Sequence, residues 1–76
     1  MAVKGPAQFY VGVDVGGTKI LAGLFSSSLR LSGILKIKTK ANQGKEVVIE
    51  RVERVVRNLL SEQKVRLKQV HSIGLG

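Results

Sequence analysis

The chain contains no cysteine and no tryptophan, and its 76 residues include one tyrosine, two phenylalanines, one proline and one histidine. Without cysteine, no disulfide can form within the chain. The scarcity of aromatic rings leaves little surface for the stacking of nucleotide bases. No apolar run reaches the about 20 residues that a transmembrane helix needs, and residues 1–8 are too short and polar for a signal peptide. We therefore expect a cytoplasmic protein with no membrane partner.

Acidic residues are also few, with five against 13 lysines and arginines, so the formal net charge is +8. A clustered charge of this size would suggest a nucleic-acid partner. The charge is instead dispersed, with nine of the 13 basic residues in three separate places: Lys36, Lys38 and Lys40; Arg51, Arg54 and Arg57; and Lys64, Arg66 and Lys68. We therefore expect solvated basic faces and no nucleic-acid partner, with a small basic nucleic-acid-binding module as an alternative.

The length lies near the lower limit at which one hydrophobic core supports itself. Residues 70–76 are typical of a strand that runs into a glycine-rich loop, and a domain rarely finishes in such a loop. We therefore expect an incomplete domain. In this interpretation residues 1–8 are a tail, and residues 9–76 are the N-terminal portion of a larger domain, truncated after its fourth strand.

The apolar patterning predicts three strands before the first helix. Residues 9–13 form an apolar, β-branched run without alternation, which is typical of a central strand covered on both faces. Residues 20–25 predict a second strand, and the three serines at 26–28 predict a hairpin loop. Residues 29–40 alternate between apolar and polar, and their outward lysines predict an edge strand. The inward face would contain Leu29, Leu31, Gly33, Leu35, Ile37 and Thr39, with Ile34 as the one exception.

Residues 45–62 change to a helical period. The apolar stripe consists of Val48, Val52, Val55 and Leu59, widened by Ile49, Val56 and Leu60. Glu50 with Arg54, and Glu53 with Arg57, have the i,i+4 spacing of stabilising ion pairs. Residues 70–75 predict a fourth strand. The expected fold is an α/β mixed sheet with the spatial strand order 3-2-1-4, in which the helix carries the chain through a right-handed crossover to the fourth strand.

The run from Gly12 to Lys19, Gly-Val-Asp-Val-Gly-Gly-Thr-Lys, lies between the first two predicted strands. It differs from a P-loop, because Thr18 precedes Lys19 where a P-loop has lysine first, and because a strand follows instead of a helix. Gly16 and Gly17 can adopt positive φ and carry no Cβ, so their backbone N–H groups can approach a phosphate closely. The sequence therefore predicts a phosphate site of the strand-turn-strand kind.

The polar side chains of this run have separate predicted roles. Thr18 adds a hydroxyl donor, and Lys19 either contacts the phosphate or is solvated. Asp14 would be drawn to phosphates only through a cation, so it is the candidate ligand of magnesium, directly or through water. An ordinary tight hairpin is the alternative interpretation of the glycine pair. His71 has no partner for nucleophilic catalysis or metal binding, and we expect it to be structural or solvent-facing.

Residues 14–20, Asp-Val-Gly-Gly-Thr-Lys-Ile, resemble the first phosphate motif of the ROK family of sugar kinases and regulators, within the actin, hexokinase and heat-shock chaperone ATPase superfamily. The order of strands and helix extends the resemblance over residues 9–76. The resemblance implies a ribonuclease H-like, actin-like ATPase fold in a nucleotide-binding domain. It places magnesium near Asp14, the β- and γ-phosphates of ATP beside Gly16, Gly17 and Thr18, and the start of the sugar pocket after residues 73–76.

The activity that the resemblance implies is ATP-dependent phosphorylation of a hexose, with glucose as the first candidate, in glycolytic carbohydrate metabolism. The full-length protein is expected to bind ATP, Mg²⁺ and the hexose and to form a homo-oligomer. The catalytic base, the adenosine motif and a structural zinc site would lie downstream, so this segment alone is expected to be inactive. A sugar-responsive transcriptional repressor of the same family is the alternative, although only eight residues precede Phe9 where such repressors carry a helix-turn-helix.

Overall fold

The computed structural model describes residues 8–76, so the predicted tail lies outside the described residues except for Gln8. The elements in chain order are β1 (Phe9–Val15), β2 (Lys19–Phe25), β3 (Leu31–Lys38), α1 (Lys45–Glu62) and β4 (Val70–Leu75), with short 3-10 turns at Ala41–Gln43 and Leu67–Gln69. The bounds of α1 and β4 agree with the prediction. β1 continues two residues beyond the predicted end, and β2 begins one residue earlier.

The four strands form one mixed sheet in the order β3-β2-β1-β4. β2 is antiparallel to both of its neighbours, whereas β1 and β4 are parallel. The predicted order 3-2-1-4 is therefore confirmed, with the lysine-bearing strand at one edge. The carboxyl ends of β1 and β4 lie side by side, because the crossover through α1 returns the chain to the level at which β1 began before β4 starts.

The core lies between α1 and one face of the sheet. Alternate residues of β1 and β2 point towards the helix, as the period of a strand requires. The buried apolar residues are Val11, Val13, Ile20, Ala22, Leu24, Val55, Val56, Leu59 and Leu60. Ile49 was predicted on the helix stripe but is 56% exposed, because the described sheet does not cover that flank of the first helical turns.

The opposite face of the sheet has no covering element among residues 8–76. The prediction that β1 is covered on both faces is therefore met on the α1 side only. The open face contains a shallow hollow of about 480 Å³, whose lining includes Gly12, Asp14, Leu21, Gly23 and Phe25. A second apolar surface is a groove of about 670 Å³ between α1 and β4.

The inward face predicted for β3 is right for its second half and wrong for its first. Leu35 and Ile37 pack against the core, but Leu31 is 55% exposed. The register between β2 and β3 shifts between Leu24 and Phe25, so that Phe25 pairs with Leu31. This bulge moves Leu31 to the open face, because one extra residue reverses the side on which each side chain lies.

The loop between β2 and β3 is longer than the three predicted serines. Ser26 N–H donates to the Arg30 carbonyl at 2.8 Å, and Leu29 N–H donates to the Ser26 carbonyl at 2.8 Å. Leu29 has a φ of 63°, an uncommon conformation for a residue with a branched side chain. Leu29 therefore belongs to the loop and is exposed, and its predicted place on the inward face of the strand is wrong.

The start of α1 follows from the backbone conformation of the residue before it. Gly44 precedes the helix with a φ of 107°, which glycine adopts without a steric penalty.

The predicted ion pair between Glu50 and Arg54 is present at 4.0 Å on the exposed face, whereas Glu53 and Arg57 form none within the described residues. None of the helices in residues 8–76 is long and apolar enough to cross a bilayer.

Candidate phosphate-binding turn

The predicted site residues come together at the tip of the β1–β2 hairpin. Residues 16–18 join the two strands, and the strand pairing ends with Val15 opposite Ile20. The Gly16 N–H donates to the Lys19 carbonyl at 2.9 Å and closes the turn. The five candidate residues are all exposed: Asp14, Gly16, Gly17, Thr18 and Lys19. The tip is thus accessible to a ligand.

The glycine pair does not use the positive φ that glycine permits. Gly44 is the glycine with positive φ in the described part of the chain, and neither Gly16 nor Gly17 adopts that region. The Gly16 carbonyl accepts a hydrogen bond from the hydroxyl of Thr39 at 2.8 Å, in addition to the bond from the Gly16 N–H to Lys19. The turn is therefore held partly from outside the hairpin.

Gly16 and Gly17 differ in how much space a side chain would have at each position. A Cβ on Gly16 would lie 3.1 Å from the carbonyl oxygen of Lys19, so a side chain there would crowd the backbone of the turn. A Cβ on Gly17 would have no protein atom within 4 Å. The space beside Gly17 is therefore open, and a ligand could approach the backbone there.

Two amides of the turn are available as donors. Within residues 8–76, the N–H groups of Gly17 and Thr18 donate to no backbone or side-chain acceptor. Consecutive backbone N–H groups without internal partners can bind an anion. The Gly16 N–H is committed to Lys19, so the prediction that both glycine amides are offered to a phosphate fits the described turn only at Gly17.

Thr39 anchors the turn from the third strand, and the sequence analysis placed it only as an inward residue. It follows β3 directly and is 1% exposed. Its N–H donates to the Thr18 carbonyl at 2.9 Å, and its Oγ1 donates to the Gly16 carbonyl at 2.8 Å. The sequence contains one sign of this role, a hydroxyl residue at the end of an otherwise apolar inward face. Its hydrogen-bond partners in the turn could not be deduced before the strand pairing was known.

Asp14 lies near the C-terminal end of β1 on the open face, where it lines the hollow. Gly76 passes beside it, since the Gly76 N–H donates to the Val13 carbonyl at 2.8 Å and its carbonyl accepts from the Val15 N–H at 3.1 Å. Ligands of open α/β sheets commonly bind outside the carboxyl ends of the strands. The position of Asp14 is therefore compatible with a role in binding.

The donors near Asp14 suit magnesium better than a metal held entirely by protein. No group of three or more His, Cys, Asp or Glu side chains is assembled within residues 8–76. Mg²⁺ characteristically retains several waters and is held by one or two carboxylates together with substrate phosphates. A single exposed carboxylate beside the candidate turn is compatible with that pattern.

The open face next to the turn is basic. Lys19 pairs directly with Lys38 across β2 and β3, and Lys36 pairs with Leu21, whose other neighbour is Asp14. Like charges on directly paired residues destabilise a sheet. A bound anion would relieve this repulsion. The backbone of Lys38 is also tied to the helix, because the Arg51 Nε donates to its carbonyl.

His71 lies away from the turn. It is exposed, and its ring lies 5.3 Å from that of Tyr10 at a tilted angle of 53°. This position agrees with the expected structural or solvent-facing role. Within residues 8–76 it forms no ion pair.

The fold defines the structural class of this chain. The mixed sheet has the element order of the actin-like ATPase fold, as predicted, with a glycine-containing turn between its first two strands. No protein-family model matches the chain, and no curated protein matches it.

Among solved structures, the chain is similar to a ROK family glucokinase from Streptomyces griseus, determined in complex with glucose and AMPPNP. The TM-score is 0.73, the sequence identity is 26%, and the match covers 90% of this chain and 20% of the glucokinase chain. The resemblance drawn from residues 14–20 is thereby confirmed at the level of structure. The chain spans one fifth of the length of that enzyme.

Proposed function

We propose that this chain supplies the first phosphate-binding turn of an ATP-dependent hexose kinase. The observation that carries the proposal is the open space and unpartnered amide at Gly17, on a fold similar to that of a glucokinase bound to glucose and AMPPNP. Glucose is the first candidate substrate because it is the sugar in that complex. Activity belongs to the intact protein that carries this chain.

Each residue of the turn has a distinct role in this proposal. Gly17 and Thr18 donate backbone N–H groups to the β- and γ-phosphates, and the Thr18 hydroxyl adds a further donor. Gly16 has no side chain to crowd the turn, so the turn can close. Lys19 supplies positive charge beside the phosphates. Asp14 holds Mg²⁺, directly or through one of its waters, and the ion neutralises phosphate charge when bound.

The chemistry is transfer of the γ-phosphoryl group of ATP to a sugar hydroxyl. Such transfer depends mostly on positioning and on stabilisation of charge on the phosphoryl oxygens. The residues of this chain contribute the positioning of the phosphates. A base that accepts the hydroxyl proton, the sugar pocket, the adenine site and any structural zinc site are proposed to lie outside these 76 residues.

Gly17 provides a sharp test because its substitution is structurally inexpensive. Gly17→Ala places a methyl group in open space at a residue without positive φ, so the fold should be retained. The methyl group would occupy the space through which a phosphate approaches. We expect the KM for MgATP to rise about tenfold in the intact protein, which corresponds to the loss of one hydrogen bond to a charged group.

The matched control is Ser27→Ala, in the turn at the other end of β2. Ser27 is exposed, and its side chain forms no hydrogen bond within residues 8–76. This variant should phosphorylate glucose with the kinetics of the unmodified protein. The proposal would be wrong if the intact protein transferred no phosphate from ATP to glucose or to any other hexose offered, or if Gly17→Ala left the KM for MgATP unchanged.

A further inference from the structure

Thr39 determines the direction of two peptide groups in the phosphate turn. The Gly16 carbonyl points to the Thr39 hydroxyl, and the Thr18 carbonyl points to the Thr39 N–H. The described chain contains no cis peptide bond. In a planar trans peptide the carbonyl and the N–H of the next residue point in opposite directions. The N–H groups of Gly17 and Lys19 are consequently turned away from Thr39.

The hydrogen bond from the Thr39 hydroxyl is important because it holds a peptide group that lies between two glycines. The Gly16–Gly17 peptide has a glycine on either side, so little steric hindrance opposes its rotation. If this peptide rotated by half a turn, it would present the Gly16 carbonyl where the Gly17 N–H now points. A carbonyl oxygen in that place would repel a phosphate. The hydroxyl bond selects the orientation that suits an anion.

Burial makes this contact a persistent one. Thr39 is 1% exposed, and its hydrogen bond to the Gly16 carbonyl is partly buried. A partly buried carbonyl that loses its donor carries a desolvation penalty unless water takes the donor's place. Thr39 itself lies on the inner face at the end of β3, away from the exposed tip, so it acts through the backbone of the turn.

We propose that Thr39 is a positioning residue for nucleotide binding, holding the carbonyls of Gly16 and Thr18 inward so that the N–H group of Gly17 faces the phosphates of ATP. This inference rests on the proposed function. It assigns to β3, a strand that does not pair with β1, control over the affinity of the β1–β2 turn for nucleotide. The affinity for the sugar is not affected.

The test uses three variants of the intact protein. Thr39→Val keeps the shape and the backbone N–H but removes the hydroxyl, and Thr39→Ser keeps the hydroxyl. Ile37→Val removes one methyl group from the same inward face of β3 without changing a polar group. The dissociation constant of AMPPNP with Mg²⁺ is measured for each, together with the KM for glucose and the ¹⁵N–¹H resonances of Gly17 and Lys19.

We expect Thr39→Val to weaken AMPPNP binding about tenfold, the effect of losing one well-placed hydrogen bond. The resonances of Gly17 and Lys19 should move in this variant before nucleotide is added, and the KM for glucose should stay the same. Thr39→Ser and Ile37→Val should bind AMPPNP like the unmodified protein. Circular dichroism on each variant verifies the fold.

Two results separate the failure of this inference from that of the proposed function. If the unmodified protein binds AMPPNP and Thr39→Val binds it equally well, Thr39 is not a positioning residue, although the turn still binds phosphate. Equal losses in Thr39→Ser and Thr39→Val, or a parallel loss in Ile37→Val, would also overturn the inference, because packing would then account for the effect. If the unmodified protein does not bind AMPPNP, the proposed function and this inference are both wrong.

Discussion

Gly12 lies directly opposite Gly23 in the antiparallel pair of β1 and β2, so the centre of the open sheet face carries no side chain. The ring of Phe25 reaches over both positions, with its Cε2 atom 3.6 Å from a Cβ placed on Gly12 and 3.3 Å from one placed on Gly23. A Cβ on Gly23 would also lie 3.3 Å from the Cδ1 atom of Leu31. The two glycines therefore differ in how much room surrounds them.

This difference predicts unequal effects of alanine at the two positions. Gly12→Ala should raise the free energy of unfolding by about 0.5 kcal/mol, because alanine restricts the unfolded chain and fits without crowding. Gly23→Ala should be about 1 kcal/mol less stable than Gly12→Ala, because Phe25 and Leu31 must move. Thermal unfolding of the two variants side by side measures the difference. A Gly23→Ala variant as stable as Gly12→Ala would contradict the packing described.

Asp14 should be required for use of MgATP if it holds the cation. Asp14→Asn keeps the size of the side chain and removes its charge, so kcat/KM for MgATP should fall about 100-fold, the usual order for losing a group that stabilises transferring charge. Glu62→Gln, an exposed carboxylate at the end of α1, is the control and should be neutral. Normal MgATP hydrolysis and sugar phosphorylation by Asp14→Asn would show that the role assigned to Asp14 is wrong.

The paired lysines predict a salt-dependent gain in stability. Lys38→Gln removes the like-charge contact with Lys19, so the free energy of unfolding should rise by about 0.5 kcal/mol at low ionic strength. The gain should shrink in 1 M salt, where charges are screened within about 3 Å. Lys68→Gln, at an exposed lysine of the Leu67–Gln69 turn, is the control. A gain that is the same at both salt concentrations would exclude the electrostatic explanation.

Residues 1–76 alone should lack kinase activity and associate in solution. Apolar side chains are exposed on the open face and along the groove beside β4, among them Leu31, Ile34, Ile73 and Leu75. Apolar surface of this kind favours association or binding of hydrophobic dyes. Sedimentation velocity at several concentrations, with dye binding, measures this. Sharp, cooperative unfolding of a monomer would contradict the expectation.

The sequence by itself determined the elements and their order. The switch from alternating to helical period located α1, and the uniformly apolar runs marked the inner strands, because burial on a given face imposes a period on the residues. The candidate phosphate turn could be proposed for a similar reason, since Asp14, the glycine pair, Thr18 and Lys19 lie close together in the chain. Local patterns carry information about local structure.

The tertiary structure alone decided which residues hold the turn and where side chains change faces. Leu31 moved to the open face because a bulge between β2 and β3 altered the register, and no pattern within β3 reveals its partner's register. The anchor of the turn, Thr39, lies 23 residues from Gly16 along the chain. Contacts of that range exist only once the sheet has aligned its strands, so the direction of the amides in the turn could not be deduced from the order of residues.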